Sequence, residues 1–577
     1  MNNPAGTFFT DSKEWFYRMY GLIFAAILIV ALAVSGYRMN VSEREHVKTS
    51  IRNSFGKASG RKITENRRKA LLKNMKIMKS SDNPGDLLDE LTWSDAGMED
   101  IFLQMDTCRS SAGEEFLFTG LHDISRNADE VKKTDRIVRE LSDDEDLRLS
   151  LGIAFGELGF VKDRSLPEYL EHILGAGKFI NPFFHILCDI YYIVIIILMF
   201  IKPVVGLAFL IIVLLLQISS YFKFRRIAED RLCGMSMIMR LSQMGKFLPS
   251  DVKGEAGELT ESLSSDLRSL RKKNILSSFV INSGPNSSGG IFSMIFTYIN
   301  LLFHFDLIAC AFLLSGVEKD RDKIMSAYRT VGYLDMCLAV ASYRAYLEKK
   351  GGWCTPDFSE ETGINITAGF NPLIDKPVAN DAVNAGGVLI TGSNASGKST
   401  YMRMIAVNAI LAQTIATCAA SSYRACMFRI YSSIAVNDNI LKGESYFMAE
   451  IRSLKRIVDA AMTEGRPVIC FIDEILRGTN TSERISASCA VLKYLAQLNV
   501  TVFAATHDLE LTTMVSDIYE NVHFTESITD DDVTFTYMLE NGPTNSRNAI
   551  ALLRKNGFPE SIIRESEEIC SDLTKKA

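Results

Sequence analysis

One stretch of the chain has residue types and spacing suited to a definite chemistry: Gly392-Ser-Asn-Ala-Ser-Gly397-Lys398-Ser399. It fits G-x-x-x-x-G-K-[S/T], in which glycines let backbone N–H groups wrap a phosphate and the following helix adds the positive end of its dipole. Lys398 then belongs on the β- and γ-phosphates of ATP, and the Ser399 hydroxyl on Mg2+. Gly392, Asn394, Gly397, Lys398, Ser399 and Thr400 make up the phosphate-binding set. Further on, "RPVICFIDEI" reads as a buried strand that ends in Asp473-Glu474. Asp473 is placed to complete the magnesium shell, and Glu474 to orient and deprotonate the attacking water. A third run, "VTVFAATHD", ends in Thr506-His507. A polar residue at the C-terminal end of a strand lies at the phosphate edge of such a sheet, so His507 is expected to sense the γ-phosphate.

These residues need a parallel sheet to hold them. "GVLIT" precedes the glycine-rich stretch and "TYMRMIAVNAILAQTI" follows it, a strand, a loop and a helix in order. After Gly351-Gly352, short β-like runs alternate with helical ones, the pattern of a sheet flanked by helices. The expected fold is an α/β P-loop ATPase domain over 349–577, preceded by a mainly α-helical core. Residues 38–178 read as a cytosolic basic and helical region, and 223–348 as a helical core or lever. "SGPNSSGG", Ser283 to Gly290, reads as a loop, and no internal repeat is visible.

The rest of the chain is apolar in three places. Met19 to Tyr37 is uncharged between Arg18 and Arg38, and roughly meets the ~20 residues a membrane helix needs. A cleaved signal peptide is the competing reading, but the segment lacks a short basic n-region and outruns a typical h-region. Residues 1–37 are therefore expected to be a tail and a first transmembrane helix. A second block, 179–222, is broken by Lys202-Pro203 and reads as a transmembrane hairpin, with a buried soluble hairpin as the alternative. A third apolar run, Ile291 to Leu314, contains Asn300, His304 and Asp306 and reads as a single buried soluble helix.

Between Arg38 and Lys79 lie thirteen Lys or Arg against three acids, and Lys223, Arg225 and Arg226 follow the hairpin. The positive-inside tendency puts both flanks in the cytoplasm, which gives a multi-pass cell-membrane protein with a cytoplasmic ATPase domain. "RKITENRRKALLKNMKIMKS" is then open to three readings: a contact with the inner leaflet, an ordinary solvated helix face, or a nucleic-acid contact. A net charge of -6 excludes a bulk nucleic-acid coat while leaving room for a local patch. Eleven scattered cysteines without a CxxC pair indicate neither a zinc site nor a disulfide framework, and read as reduced and buried.

"TGSNASGKSTYMRMIAVNAILAQ", "GESYFMAEI", "FIDEILRGTNTSE" and "FAATHDLEL" together resemble the ATPase domain of the MutS family, mismatch-recognition ATPases of the ABC-type superfamily. The resemblance runs from about Tyr333 to Ser566. It implies a head-to-tail homodimer with two composite ATP sites, in which Ser445 of one protomer faces the γ-phosphate in the other. It also implies that the loop from Arg477 to Thr481 lies along the dimer seam, and that Tyr537 takes the place of one of two rings clamping adenine. The other ring has no counterpart, because the matching segment reads "KPVAND", Lys376 to Asp381. The family's phosphate loop usually has Asn-Met-Gly-Gly where this chain has Asn394-Ala395-Ser396-Gly397. No G-x-F-x-E mismatch reader occurs before Phe179, and "SSAGEEFLFTGL" resembles the start of the family's helical core.

The leading expectation is a membrane-anchored, dimeric MutS-like ATPase whose cycle drives conformational change. Its catalytic residues would be Lys398, Glu474, His507 and Ser445, its cofactors ATP and Mg2+, and the lipid bilayer one of its partners. A membrane-tethered DNA-binding repair protein is the alternative. An ABC-type transporter is a third reading, set against the small number of spans and the lack of an LSGGQ-like signature. The client, whether DNA, lipid, peptide or protein, is left open by the sequence.

Overall fold

The computed structural model describes residues 45–79, 86–161, 165–175, 182–271, 291–384, 386–393, 396–434, 446–477, 479–528, 533–543, 550, 553–554 and 556–576. The expected first transmembrane helix, Met19 to Tyr37, falls outside them. The chain divides into Met1–Phe55 and Gly56–Ala577. In the first unit residues 45–54 are helical, with Lys48 paired to Glu45 one turn away.

The second unit begins with helices: α1 (Glu65–Met78), α2 (Glu90–Ala96), α3 (Met98–Met105), α4 (Ser111–His122), α5 (Ala128–Asp143), α6 (Glu145–Leu158) and α7 (Leu166–Gly175). Local sequence starts most of them. Thr64, Asp89, Ser110, Asn127 and Asp144 each accept the backbone N–H three residues on, and Asn127 with Glu130 closes a full capping box. The helices that follow are α8 (Pro182–Ile201), α9 (Pro203–Met244), α10 (Gly254–Arg271), α11 (Ile291–Phe303), α12 (Phe305–Lys319) and α13 (Arg321–Lys350). The long α13 packs along α4, α5 and α10. Its buried Asp335 accepts the N–H groups of Arg109 (3.0 Å) and Ser110 (2.9 Å) and the Ser110 hydroxyl (2.6 Å), so it anchors the start of α4.

Five cations of the basic stretch before and within α1 pair with carboxylates of the protein. Arg61 pairs with Asp106 at 2.7 Å, Arg67 with Glu114 at 2.6 Å, Arg68 with Glu90 at 3.1 Å, Lys73 with Glu168 at 2.7 Å and Lys79 with Asp123 at 2.7 Å. Cations tied to internal carboxylates are poor candidates for lipid or nucleic acid, so the geometry favours the ordinary helix among the three readings.

α8 and α9 fold back on each other around Lys202, with Pro203 at the first turn of α9, where its missing N–H costs nothing. Gly206 permits the close crossing, since a Cβ there would meet Met199 Cα at 2.7 Å. Pro203–Arg226 is the one described helix long and apolar enough to cross a membrane, with a mean hydropathy of 2.4 and 17% of its apolar window buried. Phe200 (87% exposed), Val204 (83%) and Leu215 (65%) stand out from the body. Beyond Phe222 the same helix runs on to Met244, where Leu232, Met235, Met237 and Leu241 enter the core.

The single helix expected over Ile291–Leu314 is instead two, α11 and α12. The chain breaks at His304, whose φ of 50° is left-handed. Polar contacts hold the break. His304 Nε2 donates to the Gln217 carbonyl at 3.1 Å, which leaves Nδ1 to accept from His185 Nδ1 at 2.9 Å. Asp306, the second residue of α12, takes the Tyr221 hydroxyl at 2.9 Å. Burial is also incomplete, since Tyr298 is 61% exposed.

Strands begin after α13: β1 (Asp357–Phe358), β2 (Ile364–Gly369), β3 (Asn380–Asn384), β4 (Gly387–Thr391), β5 (Ser422–Ala425), β6 (Arg429–Ser433), β7 (Val468–Asp473), β8 (Val500–Ala505), β9 (Glu520–Ile528) and β10 (Val533–Asn541). A four-stranded sheet has the order β1-β5-β2-β3, and a six-stranded sheet the order β10-β9-β4-β8-β7-β6. β9, β4, β8, β7 and β6 are mutually parallel, and β10 is antiparallel at one edge. β4, β7 and β8 are buried along nearly their whole length, as expected of strands covered on both faces. The associated helices are α14 (Lys398–Ile415), α15 (Tyr446–Met462), α16 (Thr481–Leu495), α17 (Leu509–Met514) and α18 (Glu560–Lys576). α2 covers the other edge of this sheet: Asp95 accepts the Ser432 hydroxyl at 2.6 Å and the Ile434 N–H at 2.8 Å.

Candidate functional site

Three neighbouring strands, β4, β8 and β7, deliver the reactive side chains to one edge of the six-stranded sheet. β4 ends at Thr391 and the chain turns through Gly392 (φ 140°) and Gly397 (φ 110°) into α14. Side chains resist those angles, and a Cβ on Gly392 would also meet Ser396 Oγ at 2.8 Å. Lys398 opens α14 with its ammonium folded into the loop, donating to the carbonyls of Gly392 and Ser393, both at 2.8 Å. One residue on, Ser399 donates its hydroxyl to Asp473, the last residue of β7.

Glu474 follows directly, with a left-handed φ of 56° and its N–H bonded to the carbonyl of Ala505 at the end of β8. That turn aims its carboxylate at His507, whose Nε2 lies 2.9 Å from Oε1, while Arg477 donates to Oε2. Burial alone would raise the Glu474 pKa. Hydrogen bonds and charge from His507 and Arg477 outweigh it and draw the pKa down to about 2. His507 Nε2 also lies 3.3 Å from Lys398 Nζ. Asp508 is clamped by both guanidinium arms of Arg484, at 2.6 and 2.8 Å, which ties the residue after His507 to α16.

Beside the loop is a cavity of 330 Å³, lined among others by Gly397, Thr400, Ile374, Lys376, Val378 and Tyr537. Tyr537 sits where β10 loses register with β9 between Phe535 and Leu539, and it has a left-handed φ of 55°. Asn380 pins this bulge, donating to the Tyr537 carbonyl at 2.9 Å and accepting the Leu539 N–H at 3.0 Å. The Tyr537 ring, 45% exposed, is thereby turned toward the cavity rather than the core.

Lys398, Ser399, Asp473, Glu474 and His507 thus converge, with Gly392 and Gly397 shaping the loop and Thr400 and Tyr537 on the cavity wall. Asn394 and Ser445 lie outside the described residues. Arg477 and Asn380 were not expected to act here. Asn380 lies inside "KPVAND", a segment noticed in the sequence only for its missing ring. Ile374 and Val378 supply apolar surface on that side of the cavity. A hydroxyl and a carboxylate in contact form a hard oxygen pair that suits Mg2+, and an ammonium folded against loop carbonyls is a cation held inside an anion-shaped cradle.

Residues 388–574 match the family model for MutS domain V. Among relatives, the chain is 29% identical over 259 residues to the DNA mismatch repair protein MutS of Natronomonas pharaonis, which covers 43% of this chain and 29% of that protein. It is 29% identical over 268 residues to the DNA mismatch repair protein MutS of Aquifex pyrophilus, covering 44% and 30%. It is 30% identical over 295 residues to MutS protein homolog 4 of Homo sapiens, covering 48% and 30%. The chain therefore spans less than a third of the length of these relatives.

Proposed function

We propose that this chain, a MutS-family protein through its C-terminal domain V, is a membrane-anchored ATPase that binds and hydrolyses ATP to drive conformational change. The observation that carries this reading is the meeting of Lys398, Ser399, Asp473, Glu474 and His507 at three strand ends beside a cavity of base size. The loop shaped by Gly392 and Gly397 presents backbone N–H groups to the phosphates, Asn394 belongs to the same binding set by its place in the motif, and Lys398 exchanges its loop carbonyls for phosphate oxygens. Ser399 and Asp473 would hold Mg2+, which when bound supplies positive charge against the phosphate oxygens. Glu474 accepts a proton from water, and His507, beside Glu474 and Lys398, senses the γ-phosphate. Thr400 stands at the mouth of the cavity and Tyr537 stacks on adenine against the aliphatic Ile374 and Val378. In a head-to-tail homodimer, Ser445 of another protomer completes the site.

The exposed arms of α8 and α9 support the anchor. Their apolar side chains face outward, Lys202 lies at the tip, and Lys223, Arg225 and Arg226 mark the base. With Met19 to Tyr37 as a further span, the ATPase domain lies on the cytoplasmic side. The test uses the whole chain. Membrane fractions are extracted with alkaline carbonate, and the detergent-purified protein is assayed for phosphate release with and without Mg2+. The expected outcome is retention in the membrane pellet and Mg2+-dependent release of phosphate from ATP. Extraction into the supernatant refutes the anchor, and a lack of turnover with intact ATP binding refutes hydrolysis.

The names of the relatives favour a second reading, a DNA-binding protein of the repair type. Titration with matched and mismatched duplexes at fixed salt decides it. Tighter binding to the mismatch supports that reading, and equal or negligible binding removes it.

A further inference from the structure

We propose that Cys354 and Cys418 form an oxidisable thiol pair, a site of reversible disulfide modification at the joint between the helical region and the sheet domain. Cys354 follows the end of α13 after only Gly351, Gly352 and Trp353, and Cys418 follows the end of α14 after Ala416 and Thr417. The two form an antiparallel bridge in which each N–H donates to the other's carbonyl, both at 2.9 Å. Residues that exchange both bonds are directly opposed, with Cα atoms about 5.5 Å apart and side chains on the same face. That spacing lies within the roughly 4.4–6.8 Å a disulfide requires.

The thiols already touch, and the contact makes them unequal. Cys354 is partly exposed, and its hydrogen bond with Cys418 lowers its pKa below the ordinary thiol value. Cys418 is fully buried, and burial pushes its thiol well up. Cys354 is thus the attacking thiolate and Cys418 the resolving thiol. Cys108, Cys337 and Cys470 are buried, with their thiols pushed up by that burial, and are poor nucleophiles by comparison.

With glutathione disulfide as the oxidant, the steps balance. The Cys354 thiolate attacks one sulfur, the S–S bond of glutathione disulfide breaks, and one glutathione thiolate leaves and takes up a proton. Cys418 then attacks Cys354 Sγ, its proton passing to the departing glutathione thiolate, and the second glutathione leaves as a thiol. Two cysteine thiols are oxidised and one glutathione disulfide is reduced to two thiols. In a hydrogen-bonded register the Cβ atoms must draw together against the backbone bonds. The resulting strain keeps the disulfide reducible, as a switch requires.

The crosslink would tighten an existing joint. Arg344 of α13 already donates to the Ala416 carbonyl at 2.8 Å and the Thr417 hydroxyl at 2.9 Å, and its guanidinium lies 4.3 Å over the Trp353 ring. A covalent bond at Cys354–Cys418 would lock the end of α13 onto the helix that begins at Lys398.

The experiment exposes the detergent-solubilised full chain to glutathione disulfide, alkylates the remaining thiols and maps the peptides by mass. The expected result is a peptide containing Trp353 linked to one containing Thr417, separated again by reduced glutathione. Cys354→Ser yields no linked peptide, and Cys418→Ser traps glutathione on Cys354. A glutathione adduct that persists on wild-type Cys354 with Cys418 free overturns the proposal. So does an unmodified pair under conditions that oxidise Cys570, which is also partly exposed.

Discussion

In the sheet domain, Lys398, Asp473, Glu474 and His507 collect at the ends of three adjacent strands beside a cavity, while the apolar residues of β4, β7 and β8 are sealed inside. In the helical region the arrangement is reversed. Arg67, Glu114, Glu115, Asp106 and Asp335 are buried, and most apolar side chains of α8 and of α9 before Phe222 are partly or largely exposed. The polar groups proposed to meet ATP gather at a sheet edge beside a cavity, whereas the buried polar groups of the helical region are satisfied by one another. Among the described residues nothing covers this apolar surface, and the proposed anchor rests on it.

The strongest way to break this contrast is at Glu474. Replacing it with Gln keeps the shape and one of the two accepted hydrogen bonds but removes the acceptor for a proton. Turnover of ATP should fall by roughly 10²–10⁴-fold, the usual worth of a general base. Binding of a fluorescent ATP analogue should persist. Unchanged turnover would take Glu474 out of the reaction and reduce its contacts with His507 and Arg477 to structure.

The next test is of the exposed apolar surface. Leu207, Ile211 and Leu215 share a stripe of α9 and are each more than half exposed. In a bilayer, an Asp at each would cost about 2.5–3.5 kcal/mol near the centre of the span. In a chain from which the proposed span Met19 to Tyr37 is also removed, the triple Asp variant should leave the carbonate-resistant pellet, while its ATP turnover in detergent stays near wild type, because the stripe touches none of the site. A variant that stays membrane-bound would show that α9 is not the anchor.

The sheet domain was the legible half. A strand that ends in glycines and a lysine, or in two acids, announces its own position, because loop, strand end and helix start are adjacent in sequence. Convergence of β4, β7 and β8 then follows from parallel order. Contacts distant in sequence left no such trace. Asn380 reaches Tyr537 across 157 positions, Asp95 reaches Ser432 across 337, and Glu114 claims an arginine 47 residues away. The basic stretch therefore looked like a surface when five of its cations pair with carboxylates of the protein. The apolar run from Ile291 looked continuous because periodicity does not register a left-handed His304 held by His185 and Gln217.

The buried charges of the helical region give a subtler test. Burial raises Glu115 to about 7, against the opposing charge of Arg67 and the Tyr328 hydroxyl at 2.8 Å. Its folded value lies above the ordinary 4.5, so the native state holds a proton that the unfolded chain gives up. This contribution is full below the unfolded value and is lost as pH rises through about 7. Asp106 and Asp335, each raised to about 6 by burial, slope the same way. His122, lowered to about 4 by burial, slopes the other way, losing stability as pH falls below its ordinary 6.5. Glu115→Gln should flatten the decline in melting temperature toward neutral pH without abolishing it. An unchanged profile would mean that Glu115 stays ionised beside Arg67.

The smallest expected effect returns to the edge of the sheet, where the contrast is sharpest. Tyr537 is 45% exposed on the cavity wall, and the Asn380-pinned bulge is what exposes it. If that exposure serves a base, Tyr537→Ala should cost the roughly 0.5–1.5 kcal/mol of an aromatic stack. KM for ATP would then rise by about 2–10-fold with kcat held, the mark of binding lost equally from ground and transition states. Tyr537→Phe should leave KM unchanged, because the ring and not the hydroxyl makes the contact. Asn380→Ala should reproduce the effect of Tyr537→Ala, since a bulge without its pin no longer aims the ring. A KM indifferent to all three would make the exposed tyrosine an incidental surface residue, and the cavity would then hold its base by Ile374 and Val378 alone.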